Sequence, residues 1–236
     1  MSQSKSKFQS RFSEKARNSK FSLMVSIPRN DPEMGKAAEE AGADAIKMHI
    51  YTKHPASQHL FGSLQKERKN LEKVLSAVHL PVGIVPGAEK IASLKEMDEL
   101  KKMGIDFFDV FAHYLPLDYL SLNLGRMVCL DSRYSSSQVK EMAFFGADVF
   151  EASIIPHEGY GKPVCFADLV NWKALAEGIS VPIMVSTQRK IKPEEITLLQ
   201  EIGIRGVVIG VVVTGGTAKG VYEAARLFRN AVDRLK

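Results

Sequence analysis

Cysteine is scarce in this chain. Only Cys129 and Cys165 occur among 236 residues, so a disulfide framework is excluded, and their spacing matches no metal-binding pattern. Long hydrophobic runs are missing too, with nothing approaching the roughly 20 apolar residues of a membrane span. Met1 to Lys7 lacks the apolar region of a secretion signal. These absences predict a cytoplasmic protein with reduced thiols, no membrane partner and no resident metal or cofactor. Charge imbalance is also absent outside residues 1–20. Lys5, Lys7, Arg11, Lys15, Arg17 and Lys20 face Glu14 alone there, a surplus of five that accounts for the whole chain's +5. The excess is therefore local, and residues 1–20 are expected to form a solvated, partly frayed basic helix or tail capping the domain. Its aromatics are limited to Phe8 and Phe12, so nucleic acid is not the expected partner.

What is present is a repeat. Gly42-Ala43-Asp44, Gly104-Ile105-Asp106 and Gly146-Ala147-Asp148 each follow a helical pattern and precede an apolar strand, and Gly203-Ile204-Arg205 is a fourth copy. Each glycine stands where a helix ends. The strands after these copies are Ala45–Ile50, Phe107–Ala112, Val149–Ser153 and a run from Gly206. Between them lie Ser22–Ile27, Leu80–Val85, Gly125–Leu130 and Val181–Val185, two of which open at a proline. Helical stretches alternate with the strands: a helix capped by Asp31-Pro32-Glu33, then Leu64–Val78, Ile91–Met103, a short segment near Leu117–Leu122, Ser136–Phe145, Asp168–Ala176, Pro193–Ile202 and Val221–Leu235. Eight such units predict an α/β fold, a single (β/α)8 TIM barrel over residues 21–236. An open doubly wound sheet fits less well, because no Gly-rich fingerprint follows the first strand.

A barrel places its ligand where strands end and βα loops begin. The stretch from Gly206 to Gly220 reads as strand, Gly-rich turn and helix, so Gly210, Thr214, Gly215, Gly216 and Thr217 are candidate phosphate-binding residues. Alternation within strands predicts which polar groups point inward. Lys47 and His49 alternate with Ile46, Met48 and Ile50; Asp109 stands between Phe108 and Val110, with His113 beyond. Asp131 shares the parity of Met127 and Cys129, and Glu151 lies between Phe150 and Ala152. Buried charge is costly unless paired, so Lys47 with Asp109 or Glu151 could be a structural ion pair, or these groups could be general acids and bases over a bound ligand. Two longer loops, Thr52–Ser63 with His54 and His59, and Ile154–Phe166 with His157, Glu158, Tyr160 and Lys162, are candidate lids.

Several segments occur in the same order in a known family. Val25-Ser26-Ile27-Pro28, the run Gly42 to Lys47, Leu80 to Val85, Leu130-Asp131-Ser132, Gly159-Tyr160 followed by Asp168-Leu169, and Ile209-Gly210 with Thr214 resemble the N-acetylmannosamine-6-phosphate 2-epimerases of the ribulose-phosphate-binding barrel group. The resemblance implies a barrel whose last strand and turn hold a sugar phosphate near Gly210, with Asp131 matching the family's strand-five aspartate and Arg189 also matched. The chain departs from the family's catalytic lysine, where it reads Val85-Pro86-Gly87, and from its catalytic glutamate, where it has Thr187. Lys47 replaces an arginine, and Ile27 a glutamine.

The expected function is therefore a phosphosugar isomerase or epimerase with a changed catalytic set, Lys47, Asp109, Asp131 and Glu151, and with His49, His113, Ser132, Thr187 and Arg189 contacting substrate. The alternatives are a lyase or aldolase forming a Schiff base on Lys47, a metal-dependent variant using His49, Asp109, His113, Asp131 and Glu151, and a phosphate-ligand binding barrel without turnover. Phe144-Phe145 and Leu227-Phe228 on outer helices could support a homodimer.

Overall fold

A computed structural model describes residues 10–53, 56 and 58–235. Lys5, Lys7 and Phe8 of the basic segment, and His54 of the first long loop, lie outside them. Eight parallel strands close into a barrel in sequence order: β1 (Ser22–Ser26), β2 (Ala45–His49), β3 (Val82–Val85), β4 (Phe107–Phe111), β5 (Gly125–Leu130), β6 (Val149–Ala152), β7 (Ile183–Ser186) and β8 (Gly206–Ile209). The helices are α1 (Arg11–Asn18), α2 (Pro32–Glu40), α3 (Leu64–Ala77), α4 (Leu94–Met103), α5 (Ser136–Phe144), α6 (Phe166–Ala176), α7 (Ile196–Glu201), α8 (Val211–Thr214) and α9 (Ala218–Val232). The TIM barrel expected from the alternation is thus the fold. None of the described helices is long and apolar enough to cross a membrane.

Local chemistry sets the boundaries. Asp31, Ser63, Ser93, Ser135 and Thr217 each accept a backbone N–H as the N-cap of a helix. The four repeat glycines, Gly42, Gly104, Gly146 and Gly203, all have φ between +90° and +112°, a region that costs a side chain dearly and glycine nothing. The outward side chains Ile46, Met48, Ile50, Phe108 and Val110 pack beneath the helices in the main core. Inside the barrel a separate apolar layer contains Met24, Ala45, Phe107, Met127, Val149, Met184 and Val208. Gly83 makes room for it, since a Cβ there would stand 2.2 Å from the Phe107 ring.

The floor of that layer is α1. The basic helix caps the domain, as expected, but one face is buried rather than solvated: Phe12 is 0% exposed and Ala16 1%. The Phe12 ring lies 4.7 Å from that of Phe107. Its charges meet the aspartates of the repeat. Asp106 accepts the N–H groups of Arg11 and Phe12, each at 2.9 Å, a carboxylate on the positive end of a helix. Asp44 pairs with Lys15 at 2.7 Å, and Asp148 with Arg17. The fourth copy has Arg205 instead, and its guanidinium donates to the carbonyls of Ser19 and Lys20 just past the helix. An aspartate there would face carbonyl oxygens. On the outer surface Phe144, Phe145 and Leu227 are exposed at 70%, 64% and 59%, whereas Phe228 belongs to the core.

The stretch after β8 differs from its sequence reading. The β-branched run Val211 to Val213 does not extend the strand but forms the short helix α8, and the glycines follow it. β8 pairs with β1 only to Ile209 and with β7 only to Val208. Beyond them no ladder is available to the valines, so β-propensity is overridden.

Candidate active site

Above the apolar layer, at the C-terminal ends of the strands, β2, β4 and β6 project Lys47, Asp109 and Glu151 toward one another. Their residues are only 4%, 3% and 4% exposed. The ammonium of Lys47 donates to Asp109 Oδ2 at 2.5 Å and also to Glu151 Oε2. The ion pairing that the sequence allowed is present with both partners. Burial opposes the charge on Lys47, but Asp109 and then Glu151 outweigh it and raise its pKa, so the amine stays protonated.

The carboxyl groups are not equivalent. Glu151 Oε1 accepts from Ser186 Oγ at 2.5 Å, and Ser186 Oγ lies 2.6 Å from Ser153 Oγ. Burial pushes Glu151 up, yet Lys47, then hydrogen bonding from Asp109 and Ser186, prevail and hold it down at about 2. Among the described residues Asp109 Oδ1 has no hydrogen-bond partner. Burial, followed by the charge of Glu151, pushes Asp109 well above the ordinary carboxylate range, against the pull of Lys47. The site is thus an ammonium, a carboxylate and a second carboxyl whose affinity for a proton is raised and whose Oδ1 is buried without a partner among the described residues.

These groups form the floor of a cavity of about 290 Å³ at the barrel mouth. His49 lines it, with Nε2 3.3 Å from Ser26 Oγ and its ring stacked 4.8 Å from Phe61. Thr187 and Gly210 line it and are joined by the Gly210 N–H donating to Thr187 Oγ1 at 2.9 Å. Val211 and Val212 follow along the wall. Helical bonding of α8 begins with Val213 N–H to the Gly210 carbonyl, so the Val211 and Val212 N–H groups have no intrahelical partner. Thr52, Lys53 and Ala56 of the first long loop and Tyr160 of the second reach the same cavity.

Other candidates stand apart. Asp131 and His113 do not join the floor. They line an adjoining cavity of about 340 Å³ with Ser132 and Arg133. Asp131 lies past the last residue of β5 and accepts the N–H of Arg133 at 3.0 Å and its Nε at 2.8 Å, so the loop and not strand parity directs it. His113 contacts Tyr134 Oη and Arg133, each at 3.2 Å. Burial and Arg133 lower its pKa against Asp131, keeping the ring neutral. Arg189 is held by Asp168 at 2.8 Å and by the Gly159 carbonyl, tying the β7 loop to α6. Gly215, Gly216 and Thr217 are exposed and do not line the cavity. Thr217 caps α9, and Thr214 is buried, its hydroxyl donating to the Gly215 carbonyl. Ser186, Ser153 and Cys129 escaped the sequence reading. Ser186 shares the inward parity of Met184, which would have pointed to it.

Asp109, Cys129 and Glu151 offer one donor atom each within 4.8 Å, the kind of set that can hold a metal ion. Here Lys47 supplies the positive charge at their centre. Burial, with Glu151 and Asp109, pushes the Cys129 thiol pKa well up, which opposes thiolate ligation. His113 and Asp131 of the expected ligand mixture lie in the other cluster.

No protein-family model and no curated protein matches the chain. Among solved structures it is similar to thiamine phosphate pyrophosphorylase from Pyrococcus furiosus, at 17% identity and TM-score 0.64 over 92% of this chain and 97% of that one. It is also similar to Mycobacterium tuberculosis tryptophan synthase, at 12% identity and TM-score 0.72 over 96% and 99%. A mutant tryptophan synthase alpha-subunit from Pyrococcus furiosus aligns at 13% identity and TM-score 0.64 over 89% and 97%. At such identities the likeness is one of fold. The epimerase resemblance remains a matter of sequence motifs.

Proposed function

We propose that this barrel is an isomerase or epimerase that moves a proton at the carbon beside the carbonyl group of a phosphorylated compound, with a phosphosugar as the reading favoured by its motifs. The observation that carries the proposal is the buried Asp109 carboxyl at the cavity lining, with raised pKa and an Oδ1 without a hydrogen-bond partner among the described residues, next to a fixed ammonium. A carboxyl whose pKa is raised is the stronger base once ionised. The C–H proton passes to the Asp109 carboxylate, and its electron pair moves into the carbonyl to give an enolate. Lys47 offsets the oxygen's negative charge. Transfer of the neighbouring hydroxyl's proton to that oxygen, with return of the first proton from Asp109 to the former carbonyl carbon, gives the isomer; epimerisation takes a second acid on the opposite face, for which His49 is the candidate. Glu151, fixed by Ser186, positions Lys47. The phosphate belongs at the Val211 and Val212 N–H groups beside Gly210 and Thr187. The similarity in fold to a thiamine phosphate pyrophosphorylase supports a phosphorylated ligand by analogy.

A Schiff-base lyase is the second reading, but it requires a neutral amine, and two carboxylates keep Lys47 protonated. Borohydride added with a carbonyl phosphate is therefore expected to leave Lys47 unmodified. The main test incubates the protein in D2O with ribose 5-phosphate, fructose 6-phosphate, glyceraldehyde 3-phosphate and N-acetylmannosamine 6-phosphate. NMR then reads deuterium at the carbon beside the carbonyl. Exchange with at least one compound is expected, reduced by about 10²- to 10⁴-fold in Asp109→Asn. Binding without exchange would leave only a phosphate-ligand binding barrel, and exchange undiminished in Asp109→Asn would remove Asp109 from the mechanism.

A further inference from the structure

The floor of the central cavity lacks the charge that a phosphorylated ligand needs. Lys47 is one ammonium set against the carboxyls of Asp109 and Glu151, so with Asp109 ionised as the proposed base the floor is net negative. A phosphate monoester brings about two further negative charges, and repulsion within a buried site is weakly screened. Among the described residues, Lys53 is the other lysine or arginine that lines this cavity. It has no ion-pair partner among the described residues. Neighbouring cations are engaged elsewhere: Lys90 lies 4.7 Å over the Tyr51 ring, Arg133 is paired with Asp131 at 2.7 Å, and Arg189 with Asp168 at 2.8 Å.

The segment that carries Lys53 is tied down at its base. After β2 the chain forms a short antiparallel ribbon: the Tyr51 N–H donates to the Gly62 carbonyl and the Phe61 N–H to the Thr52 carbonyl, each at 2.8 Å, and Lys53 pairs with Leu60. Phe61, 2% exposed, stacks on the His49 ring of the cavity wall. Glu67 Oε1 accepts the Gly62 N–H at 2.9 Å, and its Oε2 accepts from Asn30 Nδ2 at 3.0 Å. The same Asn30 amide clamps the backbone of His49, donating to its carbonyl at 2.8 Å and accepting its N–H at 3.1 Å. Tyr51 leaves the barrel at a φ of 54°, unfavourable for an aromatic residue, and its hydroxyl is held by Glu96 at 2.7 Å. Lys53 follows directly on this anchored base, which fixes where its charge is offered, while its flexible stem can follow the anion.

We infer that Lys53 binds the phosphate of the ligand in the central cavity, its ammonium supplying the positive charge that the floor lacks. This rests on the phosphorylated ligand proposed above, but not on which backbone N–H groups share the phosphate. The test titrates the parent protein, Lys53→Gln and Lys90→Gln by calorimetry with inorganic phosphate, ribose 5-phosphate, fructose 6-phosphate, glyceraldehyde 3-phosphate and N-acetylmannosamine 6-phosphate. Both lysines are exposed, so both variants are expected to keep the parent's Tm, and Lys90 carries the same charge close by without lining the cavity. For the compound that the parent binds most tightly, Lys53→Gln is expected to weaken binding at least about tenfold, and Lys90→Gln less than about twofold. Binding to Lys53→Gln as tight as to the parent would overturn the role of Lys53 and leave the phosphorylated ligand standing. Equal losses in the two variants would show a diffuse surface field in place of a contact, and would overturn it too. A parent that binds none of these compounds would overturn the phosphorylated ligand, and Lys53 with it.

Discussion

Replacing Lys47 with methionine keeps an unbranched apolar side chain but deletes the ammonium between Asp109 and Glu151. Removing one partner of a buried ion pair costs about 3–5 kcal/mol, because the other is left charged and unpaired. In a chain of this size that corresponds to a fall in Tm of about 6–20 °C. The cost must depend on pH. In the native protein Glu151 is held from its ordinary 4.5 down to about 2. A depressed carboxylate contributes stability that is present above its unfolded pKa and lost as pH falls through its folded one, here on the order of 3 kcal/mol. In Lys47→Met the two carboxyls retain only burial and mutual repulsion, so both folded pKa values rise. A raised carboxyl contributes stability that is present below its unfolded pKa and lost as pH increases. The variant's deficit is thus largest near pH 8 and shrinks toward pH 4, approached from above. Urea denaturation of both proteins across that range reads the difference directly. A variant as stable as the parent at about pH 8, or a deficit that does not change with pH, would refute the electrostatic account of the floor.

Three further outcomes follow from the same geometry. Ser186→Ala removes the 2.5 Å donor to a buried carboxylate and should cost about 1.5–3 kcal/mol in urea denaturation; a loss under 0.5 kcal/mol, roughly the level of a neutral surface change, would show that Glu151 does not depend on it. Asp106→Ala removes the acceptor of two backbone N–H groups at the start of α1, and a loss of about 2–4 kcal/mol is expected, with faster amide exchange in α1. Unchanged exchange there would mean the aspartate does not anchor the helix. Native protein should react with one equivalent of a thiol reagent, at exposed Cys165, and with a second at buried Cys129 only after unfolding; two rapid equivalents would place Cys129 within solvent reach.

The barrel was legible because its signals are periodic. Glycines that must adopt positive φ recur before alternate strands, and strand alternation is strict enough to send Lys47, Asp109 and Glu151 inward. Asp131 shows where that logic stops. One residue past β5 its orientation is set by hydrogen bonds to Arg133, not by the pleat. Val211 to Val213 show a second limit, since β-branched residues form strand only where a neighbouring strand offers a ladder. The pairing of the basic helix with Asp44, Asp106 and Asp148 could not be read from local sequence, because the partners come from separate turns of the barrel. The rings shared by the two cavities were likewise invisible, since Phe111 and Tyr114 stand at the end of β4 and just past it, whereas Tyr160 comes from the loop after β6.

The cradle beneath the barrel also has a kinetic meaning. Helix α1 precedes every strand in the chain, yet the groups that receive it stand ahead of β2, β4, β6 and β8. No partial assembly presents them all, so the full set of contacts that holds α1 is complete only once the last strand has joined the ring. Such long-range contacts form slowly. Phe12, buried in the finished barrel, is apolar surface that an unclosed ring would leave less well covered, which ties full anchoring of the first helix to closure.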